Sequence, residues 1–258
     1  MKPVFVDTHC HFDFAPFCGD EEASLRRAAE AGVEKIIVVG VAADRFAGVM
    51  ALTERWPPLY AALGTHPMAM ADHTDSHLEQ LEGYLRQRPE KLRAIGEIGL
   101  DLYIDNPQFA KQQAVLDAQL RLARDYDLPV ILHSRRTHDK LVMHLRKVDL
   151  PRRGVVHGFA GSEQQAWAFI RAGYAIGVGG TITYQRASKT RRAIARLPLS
   201  VLLLETDAPD MPLQGFQGQP NRPERIRNVW QSLCEIRDES PQHIAETLRE
   251  NTRRLFGL

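Results

Sequence analysis

Near its start the chain reads Val4-Phe5-Val6-Asp7-Thr8-His9-Cys10-His11, a short apolar run that passes directly into two histidines separated by one residue. Alternate side chains of a β-strand share a face, so His9 and His11 can point at one metal ion while Cys10 points away. We therefore expect Cys10 to be a small packed residue rather than a ligand. A doubly wound sheet would instead carry a glycine-rich phosphate turn after its first strand.

Further short apolar runs follow along the whole chain, and amphipathic, helix-like segments separate them. The runs are rich in Val, Ile and Leu and hardly alternate with polar residues, which is typical of strands buried on both faces. The runs cover 4–6, 35–40, 59–64, 92–96, 129–133, 154–157, 175–178 and 201–205, and the helical segments cover 24–32, 45–56, 78–88, 109–127, 138–148, 162–173, 188–197, 222–237 and 241–255. This alternation predicts an α/β fold, a single (β/α)8 TIM barrel over 1–258 with a C-terminal extra helix at 241–255.

The composition excludes several classes of protein. With 44% hydrophobic residues and a net charge of +1, the chain has an ordinary globular composition, and a nucleic acid would have to be held by a local basic patch. Its three cysteines have no paired spacing, which favours a reducing compartment, and no apolar stretch approaches the roughly 20 residues that span a bilayer. We expect a cytoplasmic protein without membrane contact. No exposed heptad indicates an obligate partner, so a monomer is expected.

In such a barrel, the residues that follow each strand gather at the C-terminal mouth. Acidic and imidazole side chains stand at these places: His9, His11, Glu97, His133, His157 and Asp207. Neutral imidazoles and carboxylates bind Zn²⁺, Mn²⁺ or Mg²⁺, and six such groups exceed the need of one tetrahedral ion. We therefore predict two divalent metal ions, with Glu97 as a bridging carboxylate and Asp207 both as a ligand and as the group that orients the attacking water or moves its proton.

Each of these residues also has a structural interpretation. Glu97 alone could cap a helix or pair with an arginine, and Asp207 could be an N-cap before Ala208-Pro209. The metal site is favoured because the groups fall together at strand ends. The other histidines lie in helical or loop stretches and are predicted to be solvated: His73, His77, His138, His144 and His243.

Taken together, the motifs resemble the TatD family of metal-dependent deoxyribonucleases, a branch of the amidohydrolase-like barrels, and within it the bacterial YjjV-type hydrolases. The resemblance lies in seven segments that occur in the family's order: Asp7-Thr8-His9-Cys10-His11, Gly64-Thr65-His66-Pro67, Gly96-Glu97-Ile98-Gly99-Leu100-Asp101, Pro129-Val130-Ile131-Leu132-His133-Ser134-Arg135, His157-Gly158-Phe159-Ala160-Gly161, Gly177-Val178-Gly179-Gly180 and Glu205-Thr206-Asp207-Ala208-Pro209. The stretch 207–223 departs from the family's usual pattern, and we expect it to form part of the substrate wall.

The resemblance implies a divalent-metal phosphodiesterase, an enzyme of the hydrolase class, that acts as a 3′→5′ exonuclease on DNA. The implied ligands are the six residues named above. It also implies that His66 lies by the substrate phosphate, where it would donate a hydrogen bond or stabilise developing charge as a catalytic group together with Glu97 and Asp207.

Basic residues follow several of the predicted strands and are expected to ring the same mouth: Arg135, Arg136, Arg186, Lys189 and Arg222. Arg135 and Arg222 are the preferred substrate contacts, because arginines position phosphates. The alternative is that these residues only solvate helix faces. A near-neutral protein with one deep mouth is expected to act on DNA ends or short single strands rather than to coat duplex DNA.

Two other functions remain open from the sequence. The same metal site could attack a carbonyl carbon in an amide, a lactone or an aminoacyl ester, as other amidohydrolase-like barrels do. A lysine on the fourth strand would favour that branch, whereas this chain has Glu97 there. A metal-binding or nucleic-acid-binding protein without enzymatic activity is the third possibility, and the full set of candidate ligands argues against it.

Overall fold

The structure is a computed structural model that describes residues 2–258. The strands β1–β8 are Phe5–Cys10, Val33–Val39, Leu59–Leu63, Leu92–Asp101, Val130–Arg135, Gly154–Val156, Ala175–Val178 and Leu202–Leu204. The helices α1–α9 are Glu21–Ala31, Phe46–Arg55, Asp75–Gln87, Phe109–Asp125, His138–Lys147, Glu163–Arg171, Ser188–Arg196, Ile226–Glu235 and Pro241–Phe256. Neighbouring strands pair in parallel in the order β1 to β8, so the predicted (β/α)8 barrel with its extra C-terminal helix is confirmed.

The barrel closes between β1 and the segment that follows β8. The Thr206 backbone N–H and hydroxyl donate to the two carboxylate oxygens of Asp7 at 3.0 and 2.5 Å. One residue further along, the Asp207 N–H donates to the carbonyl of His9 at 2.8 Å. Because Asp7 is fully buried, its paired oxygens hold the two segments together where His9 and Asp207 emerge.

Helix α9 seals the end of the barrel opposite the mouth. Its Phe256 is buried against inward-facing residues of the barrel, among them Ile37, Ala62 and Ala94. The Arg254 guanidinium donates to the carbonyl of Ser200, just before β8 begins. Burial of a phenylalanine side chain contributes about 1.5–3 kcal/mol, so α9 stabilises the barrel and leaves the other end free for a site.

Three strands, β1, β4 and β5, run further than the apolar pattern predicts. Strand β4 continues to Asp101, because residues 98–101 keep pairing with residues 132–135 of β5. Gly99 permits this close approach: it has φ +152°, and a Cβ there would lie 2.0 Å from the carbonyl oxygen of His133. Glu97 therefore lies within a strand rather than after it, on a rigid part of the barrel.

The start of helix α1 differs from the prediction. Helix α1 begins at Glu21, so Ser24, the first residue of the predicted helical segment 24–32, does not precede the helix. The Ser24 hydroxyl instead donates to Asp20 at 3.2 Å, from inside the first turn. Its predicted end is confirmed, since Gly32 has the left-handed φ of +98° typical of a helix C-cap. Within residues 2–258 no helix is both long and apolar enough to cross a membrane.

Candidate metal centre

Glu97 lies at the centre of the converging side chains, and one of its oxygens faces three histidines. Oε1 lies 2.7 Å from Nε2 of His157 and 2.9 Å from Nδ1 of His133. The same oxygen lies 3.2 Å from Nε2 of His66. Strands β4 and β5 and the ends of β3 and β6 supply these groups, so four separate parts of the sequence meet at one atom.

The other oxygen of Glu97 faces a different group of donors. Oε2 lies 3.2 Å from Nε2 of His9 and 3.6 Å from Nε2 of His11. These two nitrogens also lie 3.3 and 3.4 Å from Oδ1 of Asp207. The two oxygens of one carboxylate thus face separate sets of ligands, which is the geometry that a bridging carboxylate needs.

The donor atoms fit divalent cations. Nitrogen and oxygen atoms of His9, His11 and Asp207 all lie within 4.8 Å of one another, and so do those of His66, Glu97 and His133. Both ring nitrogens of His9 are buried without a hydrogen-bond partner, although Nε2 lies close to two carboxylates. A buried polar atom without a partner is costly, and a cation between these groups would satisfy it.

The electrostatics of the cluster favour bound positive charge, whether as protons or as metal ions. Burial by itself would raise the pKa of Glu97, but the neighbouring histidines, His157 first, hold it well below its usual value. Burial lowers the pKa of His11, yet its hydrogen bond to Asp207 and the nearby carboxylates outweigh this and raise it to about 9. Metal ions bind neutral imidazole, so they compete with protons for this site.

Asp101 orients His133, a role that the sequence analysis missed. Its Oδ2 lies 2.8 Å from Nε2 of His133, while its Oδ1 accepts the Tyr103 N–H at 2.7 Å. With Nε2 donating to Asp101, Nδ1 presents its lone pair to the cluster. The Gln112 side chain bonds both the N–H and the carbonyl of Asp101, which holds the carboxylate in place. The only signal in sequence was the position of Asp101 at the end of the third motif, Gly96-Glu97-Ile98-Gly99-Leu100-Asp101.

Glu205 has a comparable position behind His157. It is fully buried, accepts a hydrogen bond from the Gly158 N–H, and lies 3.6 Å from Nδ1 of His157. That leaves Nε2 of His157 directed at Glu97. Gly177 makes room for this carboxylate, because a Cβ there would lie 2.5 Å from its Oε2. The glycine and the acid both belong to motifs quoted above, but only the packing shows that they act together.

His66 differs from the other histidines in its hydrogen bonding. Its Nδ1 accepts the Met68 N–H at 3.0 Å, so the proton of the neutral ring is on Nε2, which faces the cluster. Burial, before all other effects, lowers the pKa of His66 and keeps the ring neutral. A nitrogen that carries a proton donates a hydrogen bond rather than binding a metal. The geometry therefore supports the donor role expected for His66.

A cavity of about 1240 Å³ opens onto the cluster. Residues from all eight loops that follow the strands line it, together with strand and helix ends beside them, including Phe14, Met68, Arg135, His138 and Met211. The mouth of the barrel and the candidate metal centre are thus one continuous space, as the barrel architecture predicts.

The two arginines predicted to contact substrate have different positions. Arg135 lines the cavity, whereas Arg222 does not. The Asn221 side chain donates to the carbonyls of Thr206 and Met211 at 2.9 and 3.2 Å, which folds the loop after β8 back on itself. Arg222, the next residue, does not line this cavity, and its contact with substrate stays a prediction.

The prediction that the remaining histidines are solvated is wrong for two of them. His144 is buried on α5, and its Nδ1 lies 2.6 Å from a carboxylate oxygen of Asp117 on α4. His73 is also buried, before α3. His138 lines the cavity, with its Nδ1 2.7 Å from the Ser134 hydroxyl. Cys10 is buried and its thiol donates to the carbonyl of Ala208, so the prediction of a packed cysteine is confirmed.

Comparisons with known proteins agree with this geometry. The family model described as TatD related DNase matches residues 6–257. The chain is 65% identical over 254 residues to the uncharacterized metal-dependent hydrolase YjjV of Escherichia coli K12, with 98% of each chain covered. The crystal structure of that TatD homologue has a TM-score of 0.98, with full coverage of both chains. A protein of Yersinia pseudotuberculosis named 3′-5′ ssDNA/RNA exonuclease TatD is 32% identical, with 94% of this chain and 95% of its own covered. The chain therefore belongs to the family of TatD-related DNases.

Proposed function

We propose that the protein hydrolyses phosphodiester bonds with two divalent metal ions and acts as a 3′→5′ exonuclease on DNA. The observation that carries this proposal is that the two oxygens of Glu97 face two separate sets of donors. Nucleases and phosphatases use ion pairs about 3.5–4 Å apart in this way. The Yersinia pseudotuberculosis relative, named as an exonuclease acting on single-stranded DNA and RNA, supports the same reaction.

The candidate ligands form two sets, one for each ion. One set would be His9, His11 and Asp207, the other His133 and His157, with Glu97 shared between them. When bound, Zn²⁺, Mn²⁺ or Mg²⁺ supplies Lewis-acid activation of water and of the phosphate. The side chain of Asp207 is 17% exposed and lines the cavity, whereas Glu97 is 2% exposed. This exposure to the cavity supports Asp207 as the group that accepts a proton from the attacking water.

The cavity suits a strand end better than a small molecule or a duplex. Its volume of about 1240 Å³ exceeds the ~300–1,000 Å³ typical of small-molecule pockets. It is a single concave space at the mouth of the barrel, and the net charge of the chain is only +1. An open single strand can enter such a space by its end, whereas duplex binding needs an extended basic surface.

The test is degradation of four nucleic acids by the metal-loaded protein: linear single-stranded DNA, the same DNA as a closed circle, duplex DNA and single-stranded RNA. We expect mononucleotides to be released from the 3′ end of the linear strand and the circle to resist. A lactone and an aminoacyl-tRNA serve as carbonyl substrates in parallel. Equal cleavage of circle and linear strand, or turnover of the carbonyl substrates alone, would overturn the proposal.

Replacing His66 by Ala is expected to lower kcat about 10²–10³-fold, the usual effect of removing one preorganised donor. The metal content should stay unchanged, because Nε2 of His66 carries a proton. His243→Ala, at an exposed histidine far from the cavity, is the matched control and should keep full activity. Loss of a bound ion in His66→Ala, measured by elemental analysis, would show instead that His66 is a ligand.

A further inference from the structure

We propose that the cavity holds a second binding site, built by Arg135 and Arg136 on Tyr103, for the phosphate of the nucleotide next to the scissile bond. This inference rests on the proposed function and makes it more specific. The occupant is a single-stranded oligonucleotide with at least one internal phosphate beyond the bond that is cut. A simple phosphodiester would leave the site unused.

The spacing along β5 fits neighbouring phosphates. His133 and Arg135 are alternate residues of the strand and share the face of Ile131, which points into the barrel. Both line the cavity. Alternate residues of a strand lie about 6.6 Å apart, and the sugar between adjacent phosphates of a nucleic acid spans a comparable distance. A phosphate at the metal centre therefore places its neighbour beside Arg135.

The cations on this wall have no acidic partners. Within residues 2–258, no carboxylate oxygen lies within 4 Å of the charged nitrogens of Arg135, Arg136, Lys140 or Lys189, and all four line the cavity. Several arginines elsewhere do have a carboxylate partner, such as Arg249 with Glu34 at 2.7 Å. Exposed cations that converge on one space without partners are arranged for an anionic ligand.

Besides Glu97, Asp101 and Asp207 of the metal centre, two more carboxylates line the cavity, and neither forms a salt bridge with this wall. Asp210 lies on the opposite side, in the loop after β8, where its N–H donates to the carbonyl of Asp207. Asp139 is exposed in the first turn of α5. The acids of the cavity thus leave the four cations of this wall without a salt bridge.

Tyr103 holds the two arginines in place. The guanidinium carbon of Arg135 lies 3.6 Å from the centre of the Tyr103 ring, and that of Arg136 lies 4.6 Å from it. A stacked guanidinium keeps its N–H donors free for a phosphate. Arg136 has φ +59°, a left-handed conformation that is unfavourable for a residue other than glycine. The Tyr103 N–H donates to Asp101, so the platform is tied to the carboxylate that orients His133.

Apolar side chains at the mouth favour an oligonucleotide over a free inorganic anion. Met68 is 62% exposed, Tyr103 51% and Met211 44%, and they belong to three different loops around the cavity. Bases can pack on such side chains while the backbone follows the arginines. The combination of cationic wall and apolar rim is what single-strand binding sites share.

The experiment neutralises one phosphate at a time. Three short DNA strands are compared: one unmodified, one with a methylphosphonate at the linkage next to the terminal one, and one with a methylphosphonate several linkages away. For the wild-type protein we expect the adjacent methylphosphonate to raise KM about ten- to a hundredfold, the effect of losing a hydrogen bond between charged groups. The distant methylphosphonate should change KM little.

The rise in KM caused by the adjacent methylphosphonate should largely disappear in Arg135→Ala and in Arg136→Gly. Glycine is chosen at position 136 because it suits the positive φ there. Arg192→Ala, at an exposed arginine of α7 outside the cavity, should retain the rise in KM in full. An equal rise in the wild type and in Arg135→Ala would overturn the proposal, and so would the absence of any rise in the wild type.

The same strands separate this proposal from the proposed function. Hydrolysis of bis-p-nitrophenyl phosphate, which has no neighbouring phosphate, reports on the metal centre alone. If the dye is hydrolysed but the adjacent methylphosphonate does not raise KM, the proposed function stands and the second site is excluded. If neither dye nor DNA is cleaved, fluorescence anisotropy of the labelled strands still measures binding. An affinity that depends on both Arg135 and the adjacent phosphate would then support the site without the nuclease activity.

Discussion

Glu97→Gln is expected to lower kcat at least about a thousandfold, a loss of more than ~4 kcal/mol of transition-state stabilisation. The substitution preserves the size of the side chain but removes its charge and turns one oxygen into an NH₂ group. That group would face either His133 and His157 or His9 and His11, depending on its orientation. In both cases one set of donors loses its carboxylate oxygen from residue 97, so at least one ion should be lost.

The measurement combines kcat on single-stranded DNA with elemental analysis of the purified protein. Glu79→Gln is the matched control, because Glu79 is exposed on α3 and the chemical change is the same. Far-ultraviolet circular dichroism checks that the barrel is intact. Retention of both ions with more than about a tenth of the activity would remove Glu97 from its bridging role.

Metal ions are expected to raise the melting temperature of the chelator-treated protein by about 5–15 °C when added at 100 to 1,000 times Kd. The reason is that the folded protein gathers imidazoles and carboxylates that the unfolded chain keeps apart. Buried nitrogens such as those of His9 gain a partner when an ion binds. Zn²⁺, Mn²⁺ and Mg²⁺ are compared in separate thermal unfolding experiments, and calorimetric titration gives the number of ions bound.

Two controls make this result specific. Glu97→Gln should show a smaller rise in melting temperature, whereas Glu79→Gln should match the wild type. Because ions compete with protons at His11, whose pKa is raised to about 9, the binding enthalpy should depend on the ionisation enthalpy of the buffer. An unchanged melting temperature after chelation and reloading with each of the three ions would contradict a metal centre.

Local sequence patterns were sufficient for the architecture and for the set of side chains that converge. Apolar runs without alternation indicate buried strands. The carboxyl ends of parallel strands in a barrel meet at one mouth. Hence His9, Glu97, His133 and Asp207, which are far apart in sequence, lie together as predicted. Metal binding by these residues stays a prediction, which the Glu97→Gln variant and the thermal unfolding experiments test.

The chemical state of each side chain, by contrast, depends on contacts between distant segments. The tautomer of His133, for example, follows from Asp101 on the neighbouring strand. The paths of loops cannot be read from sequence patterns either. Arg135 ends a strand and lines the cavity, whereas Arg222, in the loop that the hydrogen bonds of Asn221 shape, does not line it. Periodicity encodes which face of an element is buried, because that is a local property. Register, loop closure and hydrogen-bond partners are set by packing across the whole barrel, so they emerge only once the chain has folded.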